Sequence, residues 1–322
     1  MESSPLLSIV ERLMRQPTAP FHEHAVRAEV LTILAGFPNV RAELDSFGNV
    51  IAHYKLGDAT VSSVLVAHMD HPAYVGETFL GGVPQSYLET GHPVRSFGPF
   101  GMWDLPPFEL RDGCIYSRAC DDLVGCAVML SMLQVLTSNS ANATVTVLFT
   151  RAEEVGLLGA VHAARARLIP IETPVISLET SAERPPAAMH QGVIVRVGDK
   201  TTVFDSELVA GLAALAQTEK IPFQRCLMSG GTCEATAFQL YGYKSVGLCV
   251  ALGNYHNCTP AGGIGPEYVS LADAEAMLSL CVAVARLGVH GDSHQKTLRE
   301  RLESGLVEKS QRYKHLLAND MK

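Results

Sequence analysis

The sequence has no run approaching the roughly eighteen apolar residues that a helix needs to span a bilayer, so no membrane segment is expected. It also lacks any cluster of lysine and arginine. With a formal charge of −8 over 322 residues, nucleic acid is not an expected partner. The opening Met-Glu-Ser-Ser-Pro-Leu-Leu holds an acid and is followed by no long apolar stretch, so no secretory signal is read and the expected compartment is the cytoplasm. The eight cysteines include no Cys-x-x-Cys pair and sit mostly among apolar neighbours, which favours reduced core thiols over disulfides or a cysteine zinc site. The hydrophobic share, by contrast, is 47%. That is enough to bury one large α/β domain with a small insert.

Apolar runs at 61–69, 144–150, 174–179 and 245–252 have the continuous Val/Ile/Leu character of strands buried on both faces. Stretches at 24–36, 121–137, 155–167, 206–219, 232–241 and 271–287 read as helices. The alternation predicts an α/β fold: a mixed, largely parallel sheet with helices on both faces. The helix after Asp122 is apolar almost all round and is expected to be buried. Residues 291–322 turn polar and read as a surface helix or a contact arm.

The polar residues that interrupt this pattern share one position. Glu153 and Glu154 follow the strand-like Val-Leu-Phe-Thr (147–150), where two unpaired charges would cost several kcal/mol. His68 and Asp70 end the run Ser-Val-Leu-Val-Ala-His-Met-Asp (63–70), two apart and so on one face. At that spacing the Asp70 carboxylate can take the second imidazole N–H of His68. Asp121 and Asp122 precede the apolar helix, where acids at a helix N-terminus are the ordinary reading. Glu179 ends a further strand, and His256 lies in the Gly/Asn-rich loop after the last one. All lie at the carboxyl end of an apolar strand or in the loop after it, where open α/β sheets place their sites. His68, Asp121 or Asp122, Glu154, Glu179 and His256 suit two divalent ions of zinc or cobalt type, with one aspartate as bridge. Glu153 is left as the proton carrier. His71, beside Asp70, reads as an exposed loop histidine.

With these motifs in order the chain resembles the co-catalytic metallo-aminopeptidases, the group of the di-zinc peptidase superfamily that includes the glutamyl and the tetrahedral aminopeptidases. The resemblance starts at Pro-Thr-Ala-Pro-Phe-His-Glu-His (17–24) and Asp-Ser-Phe-Gly-Asn-Val (45–50) and runs through Ala-His-Met-Asp (67–70), Ala-Cys-Asp-Asp (119–122) and Glu-Glu-Val-Gly-Leu-Leu-Gly-Ala (153–160). It continues over Gly-Val-Ile-Val-Arg-Val-Gly-Asp (192–199) and Ser-Gly-Gly-Thr-Cys-Glu-Ala (229–235) to the His256 loop. It implies that His68 and Glu179 serve one ion, Glu154 and His256 the other, and that Asp121 bridges both. The ions would be zinc first, with cobalt or manganese also accepted, and would hold a bridging hydroxide. Glu153 would be the general base that takes the proton and returns it to the leaving amine, with Asp70 beside it in the catalytic set. The Asp121–Asp122 peptide would be cis.

Three positions depart from the family pattern: Glu179 where aspartate is usual, Leu123 where arginine or lysine follows the aspartate pair, and Cys233 inserted before Glu234, which is given no binding role. The family inserts a β domain between the His-x-Asp and Asp-Asp motifs. The resemblance therefore divides this chain into catalytic residues 1–73, a reduced β insert or flap at 74–114, and catalytic residues 115–322 with a polar arm from about 291. A trimmed insert implies a homo-oligomer smaller than the family's dodecamer, acting on peptides. The rivals are a di-zinc carboxypeptidase or amidohydrolase acting on N-acyl or dipeptide substrates, and a catalytically silent scaffold. The span from Glu179 to His256 is too short for the dimerisation domain of the first, and the intact ligand set speaks against the second.

Overall fold

The computed structural model describes residues 5–60, 62–289 and 291–317. Residues 1–4, on which part of the signal-peptide reading rests, and 318–322 of the polar arm lie outside the described residues. The chain opens with α1 (Pro5–Met14) and α2 (His24–Leu34), then β1 (Val40–Leu44), β2 (Val50–Leu56) and β3 (Val64–His68). A run of short elements follows: β4 (Ala73–Val75), β5 (Thr78–Leu80), α3 (Gln85–Leu88), β6 (Val94–Ser96), β7 (Phe100–Trp103), β8 (Glu109–Arg111) and β9 (Cys114–Ser117). Next come α4 (Leu123–Ser138), β10 (Ala143–Thr150), α5 (Leu158–Arg165), β11 (Val175–Ala182), β12 (Val193–Gly198), α6 (Ser206–Thr218) and β13 (Phe223–Leu227). The chain continues through α7 (Glu234–Leu240), β14 (Ser245–Gly253), β15 (Glu267–Ser270), α8 (Leu271–Leu287), α9 (Gly291–Arg312) and α10 (Lys314–Leu317).

The four apolar runs form the middle of an eleven-stranded sheet ordered β1-β2-β10-β3-β11-β14-β15-β9-β8, with β12 on β14 and β13 outside β12. The inner strands β10, β3, β11 and β14 are mutually parallel, and the strands flanking them pair antiparallel. Strand residues alternate between faces. Leu65, Ala67, Val147 and Phe149 meet α1, α2, α4 and α8 on one side, while Val64, Val66 and Leu148 meet Ala160, Ala163 and Phe238 of α5 and α7 on the other. Because both faces are covered, an inner strand has no polar side to show. Residues 123–133 of α4 are buried without a break, as its all-round apolar sequence requires, and each large side chain there contributes about 1.5–3 kcal/mol of burial.

Residues 73–103 form a separate four-stranded sheet, β5-β4-β7-β6, and β8 and β9 run onto the main sheet through β15. Trp103 is buried there with its ring 5.1 Å from Phe79. All eight cysteines are free and only Cys258 is not fully buried. Among the described residues no helix is long and apolar enough to cross a membrane. The helix expected at 155–167 starts later, at Leu158. Gly156 (φ 119°) and Leu157 (φ 59°) adopt left-handed backbone, so Glu153–Leu157 forms a turn instead. Gly159 behind that turn has to be glycine, because a Cβ would lie 2.6 Å from the Arg151 amide and Asn49 Oδ1.

Candidate metal centre

Parallel pairing of β10 with β3 sets Thr150 opposite His68, so the turn that follows β10 carries Glu153 and Glu154 over the end of the His68 strand. Glu179 points from β11 one strand further on, Asp121 comes from the link between β9 and α4, and His256 from the turn after β14. These side chains meet in one cleft of about 590 Å³. His68 Nε2 lies 3.4 Å from Asp121 Oδ1, 3.9 Å from Glu179 Oε2 and 4.0 Å from Glu153 Oε2. His256 Nε2 lies 3.6 Å from Asp121 Oδ2 and 3.3 Å from Glu154 Oε2. Asp121 thus turns one carboxylate oxygen to each imidazole. Asp122 instead caps α4, accepting the Gly125 amide at 3.1 Å, and the peptide between the two aspartates is cis.

Four atoms of this cluster are buried without a hydrogen-bond partner: Asp121 Oδ1, Glu154 Oε1, Glu179 Oε1 and His256 Nε2. Buried polar atoms without well-aligned partners each cost about 1–3 kcal/mol, so the cluster offers lone pairs that a cation would satisfy. Two sets, His68/Glu153/Glu179 and His68/Asp121/Glu154, have ligand atoms within 4.8 Å of one another. Both imidazoles present Nε2 inward, because their Nδ1 atoms donate to backbone carbonyls: His68 to Asp70 at 3.1 Å and His256 to Gly82 at 3.2 Å. That outer bond fixes the tautomer a metal ligand needs. Imidazole and carboxylate donors of this kind fit divalent zinc, cobalt or manganese.

The electrostatics agree. Burial pushes Glu179 up to about 8 against the pull of His68, and raises Glu153 well above the usual carboxylate range. Burial lowers the two imidazoles, but Glu153 beside His68 and Glu154 beside His256, each joined by Asp121, outweigh it and hold both well above the ordinary histidine value. Asp121, although buried, is held well below the carboxylate range by His256 and His68.

Residues 94–278 match the M42 glutamyl aminopeptidase family. The chain belongs to this family. FrvX of Escherichia coli (strain K12), a protein named as an aminopeptidase, is 27% identical to this M42 chain over 202 residues, 60% of this chain and 52% of FrvX. The chain thus spans about half the length of that relative. The TET1 peptidase of Pyrococcus horikoshii superposes with a TM-score of 0.72 at 19% identity, covering 88% of this chain and 99% of that one. Aminopeptidase APDkam598 of Desulfurococcus kamchatkensis gives 0.73 at 19% identity, covering 90% and 97%. A TET aminopeptidase from a marine-sediment thaumarchaeote gives 0.75 at 18% identity, covering 88% and 96%. At these identities the likeness of structures speaks to the fold.

Around this cluster further groups hold the turns that carry Glu153, Glu154 and His256. The Asp70 carboxylate accepts the amides of Glu153 (2.9 Å) and Glu154 (3.1 Å). It lies 3.6 Å from His68 Nδ1, whose nearer partner is the Asp70 carbonyl, so the expected carboxylate–imidazole bond is exchanged for a grip on the glutamate turn. Buried Glu23 supports the same turn: it accepts the Ala152 amide at 3.0 Å and pairs with Arg151 at 2.8 Å. Ala152 (φ 54°), Asn254 (φ 52°), His256 (φ 52°) and Asn257 (φ 62°) all take left-handed backbone, a strain of about 1–3 kcal/mol each that such support has to offset.

Two placements beside the cluster escaped sequence reasoning. His71 is fully buried rather than exposed, because its Nδ1 donates to the Asp121 carbonyl at 2.8 Å and its Nε2 meets Asn257 at 3.1 Å. Glu267, in an ordinary-looking strand, accepts the amides of Cys120 (2.7 Å), Asp121 (3.1 Å) and His256 (2.8 Å). Its one sequence signal is an acid in a segment otherwise fit for burial, Tyr-Val-Ser-Leu-Ala (268–272). Glu234, given no binding role from sequence, is buried and pushed by burial up to about 7, and belongs to neither candidate set.

Proposed function

We propose that this chain is a metal-dependent aminopeptidase that removes N-terminal residues from peptides. In this reading His68, Asp121 and Glu179 hold one divalent ion and Asp121, Glu154 and His256 the second, zinc being the first choice and cobalt or manganese compatible. The observation that carries the reading is the Asp121 carboxylate, with one oxygen 3.4 Å from His68 Nε2 and the other 3.6 Å from His256 Nε2. Bound there, a pair of ions supplies Lewis acidity that polarises a peptide carbonyl and brings the pKa of a water down to about neutral.

The protein's own groups supply the rest. Glu153, with its side chain 11% exposed at the cleft, would take the proton of the attacking water and deliver it to the leaving amine. Asp70 is a positioning residue, since it fixes the Glu153 and Glu154 amides from behind. The loop Ser229–Thr232 walls the cleft and is anchored by Asp199, which accepts the Cys233 amide at 3.0 Å.

The proposed compartment is the cytoplasm. The proposed assembly is a homo-oligomer smaller than a dodecamer. The extra sheet spans only residues 73–103, and Leu302, Leu306 and Val307 stand exposed on α9 as further contact surface. The P. horikoshii TET1 peptidase is described as assembling into a tetrahedron or a large octahedral shell.

A panel of aminoacyl reporters, assayed before chelation, after it and after zinc, cobalt or manganese is restored, tests the activity. Hydrolysis of free-amino reporters that disappears with chelation and returns with metal is expected. Turnover confined to N-acylated or carboxy-terminal substrates would move the assignment to the di-zinc carboxypeptidases or amidohydrolases. A chain that takes up no metal and cleaves nothing would be a scaffold.

A further inference from the structure

We infer that Glu267 is the positioning residue that locks the Asp121 loop to the His256 loop and thereby sets the affinity of the second cation position. The inference rests on the two-ion reading above. The two positions are built unequally. His68 ends β3, between β10 and β11, and Glu179 lies within β11 opposite Cys249, so the sheet's own ladder holds both. His256 has no such support: it sits in a turn where Asn254, His256 and Asn257 all have positive φ. That turn is tied to the rest of the site by Glu267. One of its oxygens accepts the His256 amide, and the other accepts the amides of both Cys120 and Asp121.

Glu267 is fully buried, so these three N–H groups have no water to fall back on. Its neighbour His71 completes the tie, joining the Asp121 carbonyl to Asn257, the residue after His256. Two loops 135 residues apart in sequence, at 121 and 256, thus share one carboxylate.

Glu267→Gln keeps the shape and removes one acceptor. The remaining oxygen is drawn to the pair of amides at Cys120 and Asp121, which turns the new NH₂ against the His256 N–H. Metal binding to the stripped full-length protein, followed by titration calorimetry with zinc, reads the consequence without reference to activity. The wild type is expected to bind two ions. Glu267→Gln is expected to retain one at wild-type affinity and to bind the other about 10–100-fold more weakly, as loss of an outer partner does at other metal sites. Circular dichroism shows whether the variant is folded; if it is not, Glu267→Asp, which keeps the charge and shortens the reach, carries the same test. Equal weakening of both ions, or no weakening of either, in a folded variant would overturn the inference. A wild-type protein that binds no zinc would instead refute the two-ion reading on which it stands.

Discussion

Stripping the metal should make this protein's stability depend on pH in one direction. Burial raises Glu179 from 4.5 to about 8, and a group whose folded value lies above its unfolded one stabilises fully below the unfolded value and loses that stabilisation as pH rises through the folded value. His68 and His256 are also raised and act in the same sense. Asp121 is lowered, so its contribution fades only in acid, below the window of interest. Moving one carboxyl from 4.5 to about 8 corresponds to about 5 kcal/mol of lost stability once pH exceeds 8. At about 2 °C per kcal/mol for a chain of this length, that is a fall in Tm on the order of 10 °C. Divalent ions cancel the penalty, because they pair with the deprotonated ligands. Melting curves by scanning calorimetry at pH 5, 6, 7, 8 and 9, with chelator or with zinc, measure the gap between the two forms. The gap should be small at pH 5 and widen steadily to pH 9. A gap that stays constant or narrows over that range would show that the carboxylate cluster is not relieved by metal, and the reasoning would fail.

Two substitutions probe individual residues. Glu153→Gln should lower kcat by about 10²–10⁴-fold while the folded protein keeps its full metal content; a loss of bound metal would make Glu153 a ligand, a role its place 4.0 Å from His68 Nε2 also permits. Asp70→Asn leaves one of the Glu153 and Glu154 amides facing an NH₂, which should cost about 1–3 kcal/mol in thermal unfolding and lower kcat more than it changes KM. Unchanged melting and kinetics would remove Asp70 from the positioning role.

The features of the fold that could be read beforehand were those driven by burial on two faces. β3, β10, β11 and β14 announce themselves because a strand sandwiched between helix layers must be apolar at every position. The flanking strands were passed over for the opposite reason. β1, Val-Arg-Ala-Glu-Leu, is largely exposed and β2 is mixed in character, so neither leaves a continuous apolar run, and pairing along the sheet decides their state. Within the site, Glu153, Glu154, His68, Glu179, His256 and the pair Asp121 and Asp122 stood out as polar groups at the ends of apolar strands or in the loops after them, and only the family resemblance chose Asp121 over Asp122. Glu267 and His71 did not, since what matters in both is the backbone groups they meet, and those belong to loops distant in sequence. Glu23 was hidden the same way, its carboxylate reaching across to Ala152. Residues that act on side chains or ions leave a pattern in sequence, and residues that hold backbone leave little.

The central claim is that Asp121 joins two ions, one on the His68 side and one on the His256 side. A crystal structure of the zinc-loaded protein, with anomalous diffraction collected at the zinc edge, measures this directly. The account expects two peaks about 3.5–4 Å apart, with Asp121 between them and Glu153 bound to neither. A single peak, or two peaks that do not share Asp121, would contradict it.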